Sequence, residues 1–452
     1  LLAEGLAGEG AARLEALVRL VDDFPGDELV PDALFELGER LSALGEADQA
    51  VACYGMLVER HGDHDLAARA RYGRAWCLYG AGDFDAALTD LAAAAGAGDA
   101  ELAAAAHELA AWSELGAGRP AAAARAWERF AEVSADPRRV FETGLAIAAA
   151  WREAGGADEA LELLDRQVAS LSGSEGTSGE LAVATLVEAV FAALDGGDLT
   201  AAEARLDEAV ARGQVPAPTA GGPRPAPSHA RPAPPAVLEA AFFVGEARFA
   251  AGDLDRAATH YRLAAGTGSP VVAEALYKLG FGLLQQNDAA AAEAPLVMLT
   301  EGHATSPLFG EGLFLLGEAR FRRGDHAGAV APLTTLTERL PDHAVVPKAR
   351  FRLGLALGHE ARWAEAERVL ARLSKDSPSF PNLAEAELWR GRALGAQAKS
   401  RAASQAFERC IALDAAAGGA GVLSAQARLG LGRLAQAEGR DDDALSEYLK
   451  VA

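Results

Sequence analysis

The chain is 452 residues long and half apolar, with 42 basic side chains against 65 acidic ones. That acidic balance argues against a general nucleic-acid binder, whose affinity comes mainly from phosphate neutralisation, and no apolar run is long enough for a membrane span. Three cysteines are too few for a disulfide framework, and alanine-rich sequence with few β-branched runs favours helix throughout.

In chain order, residues 1–25 hold one amphipathic helical series, Ala12, Leu14, Leu17, Leu20 and Val21 before Pro25. A two-helix pattern then recurs. Its signature is a small turn residue followed five positions later by alanine: Gly45 with Ala50, Gly82 with Ala87, Gly118 with Ala123, Gly155 with Ala160, and Gly197 with Ala202. After a gap come Gly252 with Ala257, Asn287 with Ala292, Gly324 with Ala329, Ala361 with Ala366, Ala398 with Ala403, and Gly439 with Ala444. The step is 37 residues from Asn287 to Gly324, again to Ala361, and again to Ala398. The clearest copy is Glu311–Pro341. There Phe314, Leu316, Gly317 and Phe321 follow a helical period, Gly324-Asp325 breaks it, and Ala329, Leu333 and Leu336 carry a second helix.

Seven residues ahead of each turn stands another small residue, as at Gly38, Ala75, Ala111, Ala148, Gly245, Gly280, Gly317, Gly354, Gly391 and Gly432. A glycine inside a helix costs about 1 kcal/mol of propensity, so close helix approach is the reason to keep it. Ala50, Ala329 and their equivalents are expected to meet it from the second helix. Val190 breaks the rule and predicts a looser fifth repeat. Cys53, Cys77 and Cys410 all fall within helical patterns, where a free thiol behaves as a small apolar residue.

Two insertions interrupt the series. Residues 170–180, SLSGSEGTSGE, read as a flexible loop. Residues 213–236 contain eight prolines and almost no large apolar side chain, so they cannot form core. That segment reads as a solvated loop on an unbroken array, or as a hinge between 1–212 and 237–452, or, last, as a proline-rich ligand for another protein. Both ends of the chain fall within the repeat pattern, so it reads as a segment of a longer protein.

The small residue in the first helix, the glycine turn, the alanine and the terminal proline resemble the tetratricopeptide repeat. So does the large side chain four beyond the alanine: Tyr54, Leu91, Trp127, Leu164, Leu206, Tyr261, Leu296, Leu333, Leu370, Phe407 and Tyr448. The resemblance implies an all-α, right-handed α-solenoid of antiparallel helix pairs, about eleven repeats after a leading half repeat. The period exceeds the usual one of about 34 residues. Its extra residues fall in loops such as FPGDELVPDALFELG and LPDHAVVPKARFRLG. Such loops resemble those of TolA-binding periplasmic proteins and outer-membrane-assembly lipoproteins, which implies the cell envelope, with the cytoplasm as the alternative.

Catalytic constellations are scarce. No phosphate-cradling glycine loop follows a strand. His61, Asp63, His64 and Asp65 have metal-like chemistry but lie in an inter-repeat loop that caps helices. His326 holds a packing position, the Arg320, Arg322 and Arg323 strip reads as a solvated helix end, and Asp441–Asp443 suit a helix N-terminus. A non-catalytic chain without cofactor or metal is expected.

What remains is surface. In tetratricopeptide superhelices the first helix lines the concave face, and the resemblance carries contact positions onto this chain at fixed offsets before each turn. They are Tyr72, Trp76, Tyr79 and Trp112, then Phe242, Glu246, Phe249, Tyr277 and Phe281, then Phe314, Glu318 and Phe321. An aromatic groove with scattered carboxylates suits peptide or helix recognition. The expected partners are protein or peptide segments, not nucleic acid. The rival readings are the recognition arm of a larger enzyme, such as a transferase or kinase, and self-association through the end repeats.

Overall fold

The computed structural model describes residues 9–170, 177–213, 233–418 and 421–451. Every regular element among them is an α-helix. Most of the insertions at 170–180 and 213–236 lie outside the described residues. By internal contacts the chain divides into two compact units, Leu1–Val215 and Pro216–Ala452.

The first unit opens with α1 (Glu9–Asp23), the leading half repeat. Helix pairs follow: α2 (Val30–Ala43) with α3 (Ala47–Arg60), α4 (Ala67–Gly80) with α5 (Phe84–Ala95), and α6 (Ala100–Gly116) with α7 (Pro120–Val133). Then come α8 (Pro137–Glu153) with α9 (Ala157–Ser170), and α10 (Thr177–Asp195) with α11 (Leu199–Arg212). Each helix packs on the next. The first helices also touch in succession, α2 on α4, α4 on α6, α6 on α8 and α8 on α10, so they make one continuous face.

The second unit repeats the plan. It runs α12 (Pro235–Ala250), α13 (Leu254–Ala264), α14 (Val272–Gln285), α15 (Ala289–Gly302), α16 (Phe309–Arg322) and α17 (His326–Arg339). It continues α18 (Val346–His359), α19 (Trp363–Asp376), α20 (Leu383–Ala396), α21 (Ser400–Ala416), α22 (Val422–Ala437) and α23 (Asp441–Leu449). Here α14, α16, α18, α20 and α22 touch in succession. This is an α-solenoid of consecutive helix pairs in each unit, as the periodicity predicts.

The turns explain the period. Gly45, Gly82, Gly118, Gly155, Gly197, Gly252, Asn287, Gly324, Ala361, Ala398 and Gly439 all have positive φ. At the best-formed copy Gly324 N–H donates to Phe321 O at 3.0 Å and Asp325 N–H to Arg320 O at 2.9 Å. That is the helix-closing geometry a left-handed residue permits, and it satisfies two carbonyls that would otherwise be orphaned. The Asp325 carboxylate then accepts Gly328 N–H at 2.8 Å, capping the second helix.

The glycine inside the first helix has a different partner from the one expected. A Cβ on Gly317 would run into the Leu333 side chain, one on Gly280 would lie 2.5 Å from Leu296, and one on Gly391 2.6 Å from the Phe407 ring. The nearest partner is thus the large residue sixteen positions on, where the alanine twelve positions on is expected. The alanine is small for its own crowding, since Ala329 is fully buried. The missing side chain houses a ring or a leucine, not a second backbone. Val190 and Leu206 are both almost fully buried, so the fifth repeat shows no gap in burial at that place.

The three cysteines are free and buried, and Cys77 Sγ reaches Ser42 Oγ at 3.5 Å. The basic strip at the end of α16 is exposed at Arg322 and Arg323, and it is also ion-paired. Arg320 Nε pairs with Glu293 at 2.9 Å and Arg323 shares that carboxylate. Arg322 pairs with Glu318 at 2.7 Å and donates to Leu284 O at 3.0 Å, closing the end of α14. Arg320 Nη1 also donates to Gly328 O at 3.1 Å. That carbonyl lost its helical donor because Pro332, four residues on, carries no N–H.

Candidate functional site

The successive contacts of the first helices put their outward residues on one surface in each unit. In the first unit α4 presents Tyr72, Trp76 and Tyr79 on one helical face, and α6 adds Trp112. Two neighbouring clefts meet there. One, of about 630 Å³, is lined by Phe35, Glu39, Arg69, Tyr72, Trp76, Asp99, Glu101 and Leu102 among others. The second, of about 400 Å³, is lined by Tyr72, Trp76, Tyr79, Ala105, Glu108, Leu109, Trp112 and Arg139. Trp76 and Tyr72 belong to both, and Trp76 is 53 % exposed, so its indole is the ridge between them.

The ridge is held from below. The Tyr79 ring lies 6.4 Å from that of Trp76 and 5.8 Å from that of Phe84. Phe84 in turn wedges against Gly116, where a Cβ would come within 2.5 Å of the ring. Tyr72 packs on the core of Ala75, Leu91 and Leu109. Burial, and then the nearby Glu108, push its hydroxyl above the ordinary tyrosine range, against a smaller opposing effect of Arg139. Phe35 of α2 meets Tyr54 edge-on at 6.0 Å.

In the second unit the predicted residues are tied more closely to each other. Phe242 lies 5.9 Å from Tyr261, Phe249 6.1 Å from Phe281, and Tyr277 stacks on Phe281 at 6.1 Å. Glu246 accepts the Tyr261 hydroxyl and pairs with Lys278 at 2.7 Å, whose ammonium sits 5.7 Å over Phe249. Phe314 packs on the cores to either side of it. Glu318 is only 5 % exposed, its carboxylate clasped by Arg322 at 2.7 Å and Arg352 at 2.6 Å. It anchors arginines instead of offering an open carboxylate. Arg352 lies 4.6 Å over Phe321, which touches His326 at 4.8 Å.

The offsets therefore bring Tyr72, Trp76, Tyr79 and Trp112 together around one pair of clefts and place the rest in rows in the second unit. They miss Arg69, Asp99, Glu101, Glu108 and Arg139, which come from helix starts and from faces off the aromatic register. Asp99 was legible as the residue before an alanine-rich helix, and it does cap α6 through Glu101 and Leu102 N–H at 3.0 and 3.2 Å. His64 caps the inter-repeat loop, its Nδ1 accepting Leu66 N–H at 3.2 Å. Among the described residues no cluster of three or more His, Cys, Asp or Glu side chains is placed to hold a metal ion, and no helix is long and apolar enough to cross a membrane.

The family model for the tetratricopeptide repeat matches residues 35–106 and 191–271. No curated protein sequence matches the chain. Among solved structures, the chain is similar to MamA from Desulfovibrio magneticus at 19 % identity, over 40 % of this chain and 92 % of that one, with a TM-score of 0.34. It is similar to a tetratricopeptide repeat protein from Parabacteroides merdae at 16 % identity, over 60 % and 91 %, with a TM-score of 0.33. The P58(IPK) TPR domain aligns at 17 % identity over 91 % and 98 %, with a TM-score of 0.25.

Proposed function

We propose that the chain is a non-catalytic scaffold that binds a protein segment across the first-helix face of its first unit, at Tyr72, Trp76, Tyr79 and Trp112. The observation that carries this reading is Trp76. A large aromatic side chain left 53 % exposed, on a ridge between two clefts and braced by Tyr79, costs solvation without contributing to the core. Aromatic side chains with few rotatable bonds lose little entropy on binding, which makes such a ridge a good anchor for a partner. Tetratricopeptide repeats, which the family model finds in both units, supply the rigid face that carries it. The rows at Phe242–Phe281 and Phe314–Phe321 form a surface of the same kind within the second unit.

The loops between repeats, such as FPGDELVP, support placing that scaffold in a bacterial cell-envelope assembly. One experiment addresses both parts. The tagged chain is used to recover partners separately from envelope and cytosolic fractions, beside the Trp76→Ala/Trp112→Ala variant. The expected result is a partner recovered from the envelope by the parent and lost by the variant, with helical circular dichroism unchanged. Loss of helicity in the variant would reassign both tryptophans to the core. Recovery only from cytosol would remove the envelope assignment and leave the cleft.

A further inference from the structure

The carboxylates around Trp76 are unequally satisfied. Asp99 is fully engaged, since it caps α6 and pairs with Arg69 at 3.5 Å. Glu108 is paired with Arg139, whose Nε donates to it at 3.2 Å. The Glu39 and Glu101 carboxylates are exposed in the larger cleft and, among the described residues, are in no ion pair or hydrogen bond. Together the two clefts carry four carboxylates against two guanidinium groups, and both of those are already taken. The aromatic ridge is thus flanked by uncompensated negative charge.

One kind of side chain answers both features. A guanidinium lies flat on an indole face and forms forked hydrogen bonds to a carboxylate, and it sheds water more readily than an ammonium. Because both clefts share Trp76 and Tyr72, a segment running across α2, α4 and α6 has to pass over the indole. We propose that the cleft takes an arginine-bearing extended segment of a partner protein, one guanidinium lying on Trp76 and neighbouring arginines pairing with Glu39 and Glu101. This rests on the reading of the cleft as a protein-segment site and adds the chemistry of the segment.

The test uses the whole chain and fluorescein-labelled ten-residue peptides of alternating glycine with arginine, lysine, serine or glutamate. The net charge of −23 attracts any cation, so the decisive comparison is between variants of equal charge. Glu39→Gln/Glu101→Gln should weaken the arginine peptide by about tenfold, two exposed charge pairs' worth, while Asp441→Asn/Asp442→Asn leaves it unchanged. Trp76→Leu should erase the preference for arginine over lysine. Equal weakening in the two double variants would mean binding to the general field and would overturn the proposal, as would equal binding of the glutamate peptide. If Trp76→Ala/Trp112→Ala loses its native partner while the arginine peptide does not bind the parent, this inference falls and the protein-segment reading stands. If the arginine peptide binds as expected but that variant keeps its native partner, the protein-segment reading falls and this inference falls with it.

Discussion

At the scale of single residues, the turn between paired helices is one backbone conformation met with different side chains. Gly324 sits at φ 79° with nothing within 4 Å of where a Cβ would stand. Ala361 and Ala398 occupy the same place in later repeats at φ 55° and 56°. A left-handed alanine carries strain of about 1–2 kcal/mol, whereas glycine is free of it and pays in unfolded-state entropy. Reciprocal exchanges should therefore have opposite signs. Gly324→Ala should destabilise by about 1 kcal/mol, and Ala361→Gly should stabilise by up to about 1 kcal/mol, both read from urea midpoints at constant slope. Two effects of the same sign would show that something other than the turn conformation sets the cost. The turns were legible because glycine marked eight of the eleven, and the 37-residue step marked Asn287, Ala361 and Ala398. The partner of Gly317 was not, because spacing alone does not say which of two residues on a facing helix reaches the gap.

At the scale of helices, the second unit is laced by a row of rings that spans consecutive repeats. Phe321 at the end of α16 lies 4.8 Å from His326, which opens α17, and His326 stacks on His359 of α18 at 4.1 Å. His359 in turn meets Trp389 of α20 at 4.8 Å, and Arg392 lies 4.9 Å over that indole. Burial first, then His326 and Arg392, hold the His359 imidazole below its ordinary value, with Glu360 pulling weakly the other way. The unfolded chain therefore takes up this proton before the folded one does. The contribution to stability is complete above the ordinary value of 6.5 and is lost as pH falls from there through the depressed folded value. His107 in the first unit acts in the same direction through its own burial. Thermal midpoints should drop between neutral pH and pH 5, and His359→Gln should flatten that drop. An unchanged slope in the variant would show that the ring row does not sense protons. Sequence spacing identified His326 as a packing residue, but not its stack on His359. That pairing arises from two helices whose ends face each other across a repeat boundary, and a within-repeat offset does not contain it. Likewise, the position six before the turn gave Trp76 and Glu318 the same rank. Only the arginines folded over Glu318 separate an open residue from a buried anchor.

At the scale of the whole molecule, solenoid stability is a sum of repeat terms and nearest-neighbour interfaces, so a break in the array removes one interface and leaves the rest intact. The two compact units meet in sequence at Val215 and Pro216, inside the stretch with eight prolines and almost no large apolar side chain. We propose that residues 1–215 and 216–452 are separately stable arrays. Within each unit the core is made of local contacts, such as Leu34, Tyr54 and Leu57 in one and Leu333, Leu353 and Ala366 in the other, none of which calls on the opposite half of the chain. Residues 1–215 and 216–452 produced as separate proteins should then each unfold cooperatively, and their helical signals should add up to that of the whole chain. The arginine-bearing peptide should follow the first fragment alone, because every residue of its cleft lies between Phe35 and Arg139. A first fragment that unfolds on separation would mean that the arrays are not independently stable. That result would leave the cleft in place while removing their independence.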